Sequence, residues 1–213
     1  MPRLAVLEAA QDMERLGLNR GSSGNVSTRS GAGFLVTPSG MAPGKMSVDD
    51  IVAMDMEGNP SGRRKPSSEW RFHRDIYRAR PECKAVVHAH SPFCVALAVH
   101  GRSIPAFHYM VAMAGGVDIR CAPYATYGTQ ELSDLAVKAL DGRLACLLAN
   151  HGMIAIGRDI DHALALAVEV EDLAAGYWRA LQIGQPNLLP DAEMAVVLEK
   201  FKSYGANAQG GDK

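Results

Sequence analysis

The chain has 213 residues, 47% hydrophobic and 21% charged, with a formal net charge of −1. That length bounds one sizeable domain of ordinary globular composition. The near-zero charge balance excludes a global pull toward nucleic acid or an anionic membrane, so an anionic ligand has to be held locally, by amides, hydroxyls or a metal.

Residues 1–18 (MPRLAVLEAAQDMERLGL) have their apolar positions broken by Glu8, Gln11, Asp12, Glu14 and Arg15. They lack the apolar centre of a signal peptide and predict an amphipathic helix ending near Gly17. No apolar run approaches membrane-spanning length. Segments 25–29 (NVSTR) and 33–37 (GFLVT) flank a Gly-containing turn and predict a hairpin, and 51–56 (IVAMDM) is a third strand closed by Glu57-Gly58-Asn59. Ser67 or Ser68 can cap a helix over SEWRFHRDIYRAR, which Pro81 stops. A buried strand over 84–88, a short helix over 92–100, a strand over 119–122 and a helix over 129–140 follow. The apolar strand 144–150 turns at His151-Gly152 into 153–156, a second hairpin. Asp159 or Asp161 opens a long helix closed by Gly184, and an amphipathic helix over 191–204 is the last element. The expected organisation is one domain over 1–204, with 205–213 (GANAQGGDK) a flexible tail.

Strands joined both by hairpins and by helices predict an α/β fold in three layers, a mixed sheet covered by helices. The absence of regular β-α-β alternation argues against a doubly wound parallel sheet. Cys83, Cys94, Cys121 and Cys146 are widely spaced with no C-x-x-C pair, which suits buried thiols in a reducing cytoplasm.

Chemistry concentrates at the ends of these strands. In AVVHAHSP (85–92), His88 and His90 point to one face of an extended chain, as a shared cation requires. Strand-end histidines are also common as simple hydrogen-bonding residues, so the pair alone leaves both readings open. His151, at a second strand turn, offers a third imidazole, and Glu69, at the start of the helix leading into the His88 strand, offers a carboxylate. His73 lies at i+4 from Glu69 and competes as a ligand, but a lone histidine in RFHR reads as a surface residue. GSSGN (21–25), TPSG (37–40) and Pro66-Ser67-Ser68 each place glycines or hydroxyls where an anion can be bound, the last at a helix N-terminus. Ser67, Ser68 and Glu69 are consecutive, which links a phosphate cradle to a metal-bound reacting centre. A metal that binds neighbouring carbonyl and hydroxyl oxygens, with a carboxylate beside it, suits retro-aldol cleavage, isomerisation or epimerisation of a phosphorylated sugar. The lysines lie in polar contexts, which argues against a Schiff-base route.

GSSGNVSTR, TPSG, KPSSEWRFHRDIYRARPECKAVVHAHSP, RSIPAFHYMVAMAGG, CAPYATYGT and NHGMIAIG together resemble the class II aldolase/adducin-like superfamily, and within it the L-fuculose-1-phosphate aldolases, from about Gly21 to Tyr204. The resemblance implies a central, largely antiparallel sheet and a homotetramer with active sites at subunit interfaces. It implies zinc held by His88, His90 and His151, with manganese, cobalt or iron as possible substitutes. Glu69 matches the carboxylate that contacts the metal and exchanges the substrate proton. Ser22, Asn25, Ser39, Gly40, Ser67 and Ser68 match phosphate-binding positions. Tyr109 matches a tyrosine reaching in from the neighbouring subunit, and Tyr204 a second, tail-borne tyrosine.

The implied activity is cleavage of a ketose 1-phosphate, like L-fuculose 1-phosphate, to dihydroxyacetone phosphate and a small aldehyde. Ser22 replaces a threonine of the fuculose enzymes and Tyr127 a phenylalanine, so phosphate binding is kept and the aldehyde side is open. Related 5-methylthioribulose and 5-deoxyribulose 1-phosphate aldolases are the first alternative. A pentulose 5-phosphate 4-epimerase follows, disfavoured because 102–116 holds no Asp or Glu. An adducin-like assembly domain is the non-enzyme alternative, disfavoured by the presence of Glu69 and all three histidines.

Overall fold

His88 and His90 owe their placement to the middle of an eight-stranded sheet. The computed structural model of the chain describes residues 2–203; Tyr204 and 205–213 lie outside the described residues. The strands are β1 (Asn25–Ser30), β2 (Gly33–Val36), β3 (Val52–Met54), β4 (Pro60–Ser61), β5 (Ala85–Ala89), β6 (Arg120–Ala122), β7 (Ala145–Leu148) and β8 (Gly152–Gly157). Their order is β4-β3-β2-β1-β5-β8-β7-β6, and only the β6–β7 pair is parallel. The helices are α1 (Pro2–Arg15), α2 (Trp70–Ala79), α3 (Pro92–Ala98), α4 (Gln130–Ala139), α5 (Ile160–Ile183) and α6 (Asp191–Ser203). No helix among the described residues is long and apolar enough to cross a membrane.

Strand alternation sorts the core into two. Ala85, Val87 and Ala89 of β5 face Val6, Met13, Leu97 and Leu166, which come from α1, α3 and α5. Val86 faces the other way, toward Phe72, Ile76 and Tyr77 of α2 and Leu132 of α4. Both faces are covered, so β5 is buried throughout and reads as an apolar run. This is the expected three-layer α/β fold with a largely antiparallel mixed sheet.

Boundaries differ from expectation where side chains capture the backbone. The third strand stops at Met54 because the Asp55 carboxylate accepts from the Gly58 and Asn59 N–H groups, each at 2.7 Å. The turn thus begins early and delivers β4, an edge pairing that Pro60 disguises in sequence. Helix α2 begins at Trp70: Ser67 Oγ accepts from the Glu69 N–H at 3.2 Å and the Ser67 carbonyl from Trp70 N–H at 3.2 Å, so 67–69 is an entry turn and Glu69 is the N-cap. Of the two aspartates offered for α5, Asp159 is the cap, accepting from His162 N–H at 2.7 Å. Tyr109–Ala114 forms a 3-10 helix that the sequence reading passed over.

The first turn of α3, immediately after His90, is clamped from α5: Glu171 accepts from the Phe93 and Cys94 N–H groups, both at 2.9 Å. A carboxylate on free helix N–H groups satisfies two otherwise orphaned donors. Glu171→Ala is expected to cost about 1–3 kcal/mol, read as a lower denaturant midpoint at unchanged slope; an unchanged midpoint would show that water replaces the clamp at no cost.

Candidate metal centre and active site

Register brings the candidate ligands together. His88 pairs with Asn25 of β1 on one side and Ile154 of β8 on the other, so the end of β5 lies between the 21–25 loop and the β7–β8 turn. That turn holds Asn150 in the left-handed region (φ 54°), a conformation asparagine tolerates. Gly152 follows His151 because a Cβ there would stand 2.3 Å from the Ala89 carbonyl oxygen. Gly24 (φ +73°) likewise leaves room for Asn19, whose Oδ1 accepts from the His90 N–H at 2.8 Å.

The ring centroids of His88, His90 and His151 lie 4.8–4.9 Å apart and the planes cross at 74–78°. His88 Nδ1 donates to the Met153 carbonyl at 2.9 Å, so its Nε2 faces inward, 3.0 Å from His90 Nε2, and is the atom that would offer a lone pair to a cation. Glu69 places Oε2 3.2 Å from His88 Nε2 and Oε1 3.2 Å from His151 Nε2. Glu69 Oε1 is buried and has no well-formed hydrogen bond. One ligand atom from each of the four residues lies within 4.8 Å of the others. Three converging imidazole nitrogens and an orphaned carboxylate oxygen are a donor set that fits a divalent cation. Burial opposes ionisation of Glu69, but the His88 and His151 rings beside it override this and hold the carboxyl well below its usual range. Burial and the neighbouring His88 and His151 charges push His90 down to about 4, so its ring is neutral at pH 7, as a ligand must be.

The anion side is assembled by a short bridge. Pro38 pairs with Pro66, the Ser67 N–H donates to the Thr37 carbonyl at 3.0 Å, and the Ser39 N–H to the Lys65 carbonyl at 3.1 Å. TPSG and Pro66-Ser67-Ser68 are thereby sewn side by side. Ser22, Asn25, Ser39, Gly40, Ser67 and Ser68 all line one cavity of about 300 Å³ with Glu69, His90 and His151. Tyr124 and Tyr127, 60% and 66% exposed, line the same cavity. An adjoining cavity of about 540 Å³ shares Ser22, Ser39 and Gly40 and adds Lys45, Arg64 and Lys65. Arg64 and Lys65 are consecutive, in the basic run that leads into Pro66-Ser67-Ser68, and Lys45 joins them from a separate turn.

Two expected residues stand elsewhere. Tyr109 lies outside this cavity, half-exposed and stacked on Phe201 at 6.4 Å. Tyr204 lies outside the described residues. His73 corrects the surface reading: it is fully buried, and its ring contacts Ser27 Oγ and Asn25 Oδ1. Burial, reinforced by the His88 charge, pushes it down to about 3, so its ring too is neutral. Asn25 in turn donates to Glu69 Oε2 at 3.0 Å, so its carboxamide reaches the carboxylate as well as the cavity. The i, i+4 spacing of Glu69 and His73 continues to Tyr77 at i+8, so the three share one stripe of a helix, and it is that continuation which signals a buried face.

The class II aldolase and adducin N-terminal domain profile matches residues 5–178. The chain is 59% identical over 207 residues to a 5-methylthioribulose-1-phosphate/5-deoxyribulose-1-phosphate aldolase of Rhodospirillum rubrum, covering 97% of this chain and 94% of the relative. It is 50% identical to an L-fuculose phosphate aldolase of Escherichia coli K12, covering 94% of each. A solved L-fuculose 1-phosphate aldolase superposes with a TM-score of 0.92 at 40% identity, covering 94% of this chain and 96% of that one.

The donor set predicts one divalent cation per chain. His88→Ala or His151→Ala should weaken binding by more than about 100-fold, since even outer partners of such ligands cost 10- to 100-fold. Because protons compete for the imidazoles, affinity should fall as pH is lowered. Calorimetric titration of chelator-treated protein with zinc checks both; stoichiometric, pH-independent binding in either variant would rule out this ligand set.

Proposed function

The chain belongs to the class II aldolase and adducin N-terminal domain family, and we propose that it is a divalent-metal aldolase that cleaves a ketose 1-phosphate to dihydroxyacetone phosphate and a small aldehyde. The observation that carries this reading is one cavity in which Glu69, His90 and His151 face the Ser22, Ser39, Ser67 and Ser68 anion cradle. A ketose 1-phosphate needs that combination: an anion holder at one end and an acid/base beside a cation at the other.

Zinc is the metal we assign to His88, His90, His151 and Glu69; the same ligands accept manganese, cobalt or iron. When bound, the cation polarises the ketose oxygens as a Lewis acid and stabilises the negative charge that develops on them. The chain's own residues do the rest. Backbone amides and hydroxyls at Ser22, Ser39, Gly40, Ser67 and Ser68, with Asn25, hold the phosphate. Loss of the C4 hydroxyl proton breaks the C3–C4 bond and releases the aldehyde. Glu69, an ionised carboxylate buried at 7% exposure, takes up the proton that the C4 hydroxyl loses and then delivers it to C3, ending ionised again. Tyr109 of a neighbouring subunit assists at the C4 oxygen in a homotetramer with interfacial sites, a role its half-exposed position supports. We propose a catalytic role for Tyr204 as well, on the resemblance of its KFKSYG segment alone. Residues 1–204 form the catalytic domain in this reading, and four free cysteines support a cytoplasmic setting.

The aldehyde half distinguishes two substrates. The 59% identity supports a 5-methylthioribulose or 5-deoxyribulose 1-phosphate. L-Fuculose 1-phosphate, which the motifs resemble, is supported by the 50% relative and the TM-score of 0.92. Tyr124 and Tyr127 at the cavity wall are the residues we expect the aldehyde to meet.

A panel of these ketose 1-phosphates, assayed for dihydroxyacetone phosphate, should give one preferred substrate, and no release from any of them would refute the aldolase reading. Ser67→Ala should raise KM about tenfold with little change in kcat, because phosphate binding is shared by ground and transition states. Glu69→Gln should retain metal and lose exchange of substrate hydrogen with solvent deuterium; full exchange would remove Glu69 from the mechanism.

A further inference from the structure

Glu69 is held from behind by a buried hydrogen-bonded chain that the reaction steps above do not use. Asn25 Nδ2 donates to Glu69 Oε2 at 3.0 Å, and Asn25 Oδ1 lies 2.5 Å from His73 Nε2. His73 Nδ1 lies 2.7 Å from Ser27 Oγ, which lies 2.7 Å from the Tyr77 hydroxyl. None of these four side chains belongs to a residue more than 5% exposed. Asn25 and Ser27 alternate on one face of β1, opposite the His73 and Tyr77 positions one turn apart on α2.

The direction of every bond is forced from the Glu69 end. An ionised carboxylate only accepts, so Asn25 turns its NH2 toward Glu69 and its carbonyl toward His73. That carbonyl only accepts, so the His73 proton is on Nε2. The bare Nδ1 then accepts the Ser27 hydroxyl hydrogen, and the Ser27 oxygen accepts from Tyr77, the terminal donor.

We infer that His73 is a positioning residue: its Nε2–H tautomer, supported at Nδ1 by Ser27 and Tyr77, locks the Asn25 carboxamide so that Glu69 is held through Oε2 and keeps Oε1 free for proton transfer. The orphaned state of Oε1 fits this division of labour. Without a donor at His73, the Asn25 amide can turn over and set its carbonyl against the carboxylate. The inference rests on the reading of Glu69 as the acid/base, and extends it to a residue that touches neither substrate nor metal ligand.

Nitrogen-15 spectra of the labelled, metal-loaded protein test it directly, with the His73 signals assigned by their loss in His73→Gln. A neutral ring protonated at Nε2 is expected; a ring protonated at Nδ1 overturns the inference. In kinetics, His73→Leu should lower kcat about 10- to 100-fold, a larger effect than that on KM, with one metal per chain still held by His88, His90 and His151. His73→Gln, whose amide N–H can reach Asn25, should recover most of that loss. A native kcat in His73→Leu, or equal damage in the Leu and Gln variants, would overturn the positioning role. Should the Leu variant fail to fold, Ser27→Ala removes only the donor to Nδ1 and should leave the ring protonated at Nε2 against the Asn25 carbonyl while lowering kcat by a smaller factor; a proton moved to Nδ1, or a native kcat, there counts against the inference. Glu69→Gln separates the two readings. Retained deuterium exchange in that variant refutes Glu69 as the acid/base, whereas its loss alongside unaffected His73 variants refutes only the relay.

Discussion

A carboxylate that stays ionised at 7% exposure has to be supplied with positive charge or hydrogen-bond donors, and the organisation of this protein follows from how Glu69 obtains them. In front stand His88 and His151, each 3.2 Å away, and the place for a cation among three imidazoles. Behind stands Asn25. Removing either support would leave a buried charge whose cheapest escape is to take up a proton, which would end its service as a ligand.

The sheet makes this arrangement affordable. β5 is hydrogen-bonded on both edges, to β1 and to β8, so the two histidines at its end cannot drift relative to Asn25 or to the turn carrying His151. Both strand-end histidines are also held once more by something outside the site: His88 by the Met153 carbonyl, His90 by Asn19 and by the Glu171 clamp that begins three residues on. A donor set spanning residues 69 to 151 behaves as a rigid unit because the strands joining it are central and covered on both faces. The cradle we propose for the phosphate needs less rigidity. It is built from turns, with the 37–40 and 65–67 segments tied by the two backbone hydrogen bonds of the Pro38–Pro66 bridge.

Much of the fold was legible because periodicity reports burial. The hairpins at 25–37 and 144–156, the long helix α5 and the apolar run of β5 lie within a residue or two of their expected bounds. Misses fall where a side chain outcompetes the backbone pattern: Asp55 cutting short the third strand, Ser67 delaying α2 until Glu69 becomes its cap. His73 was misread for another reason. A polar residue in RFHR looks solvent-facing, and its burial becomes reasonable only when Ser27 and Asn25, from a strand 46 and 48 positions away, supply both partners.

The sequence by itself determined the ligand types and the parity that puts His88 and His90 on one face, because strand alternation is a local property of the chain. It also determined the adjacency of Ser67, Ser68 and Glu69, which ties anion to carboxylate whatever the fold. Only the tertiary structure decided that His151 closes the set, that TPSG lies beside Pro66-Ser67-Ser68, and that Tyr77, Ser27, His73 and Asn25 form one directed chain ending on Glu69. Those are pairings between distant segments, and they are fixed by sheet register and by helix α2 packing on the sheet, neither of which local periodicity encodes.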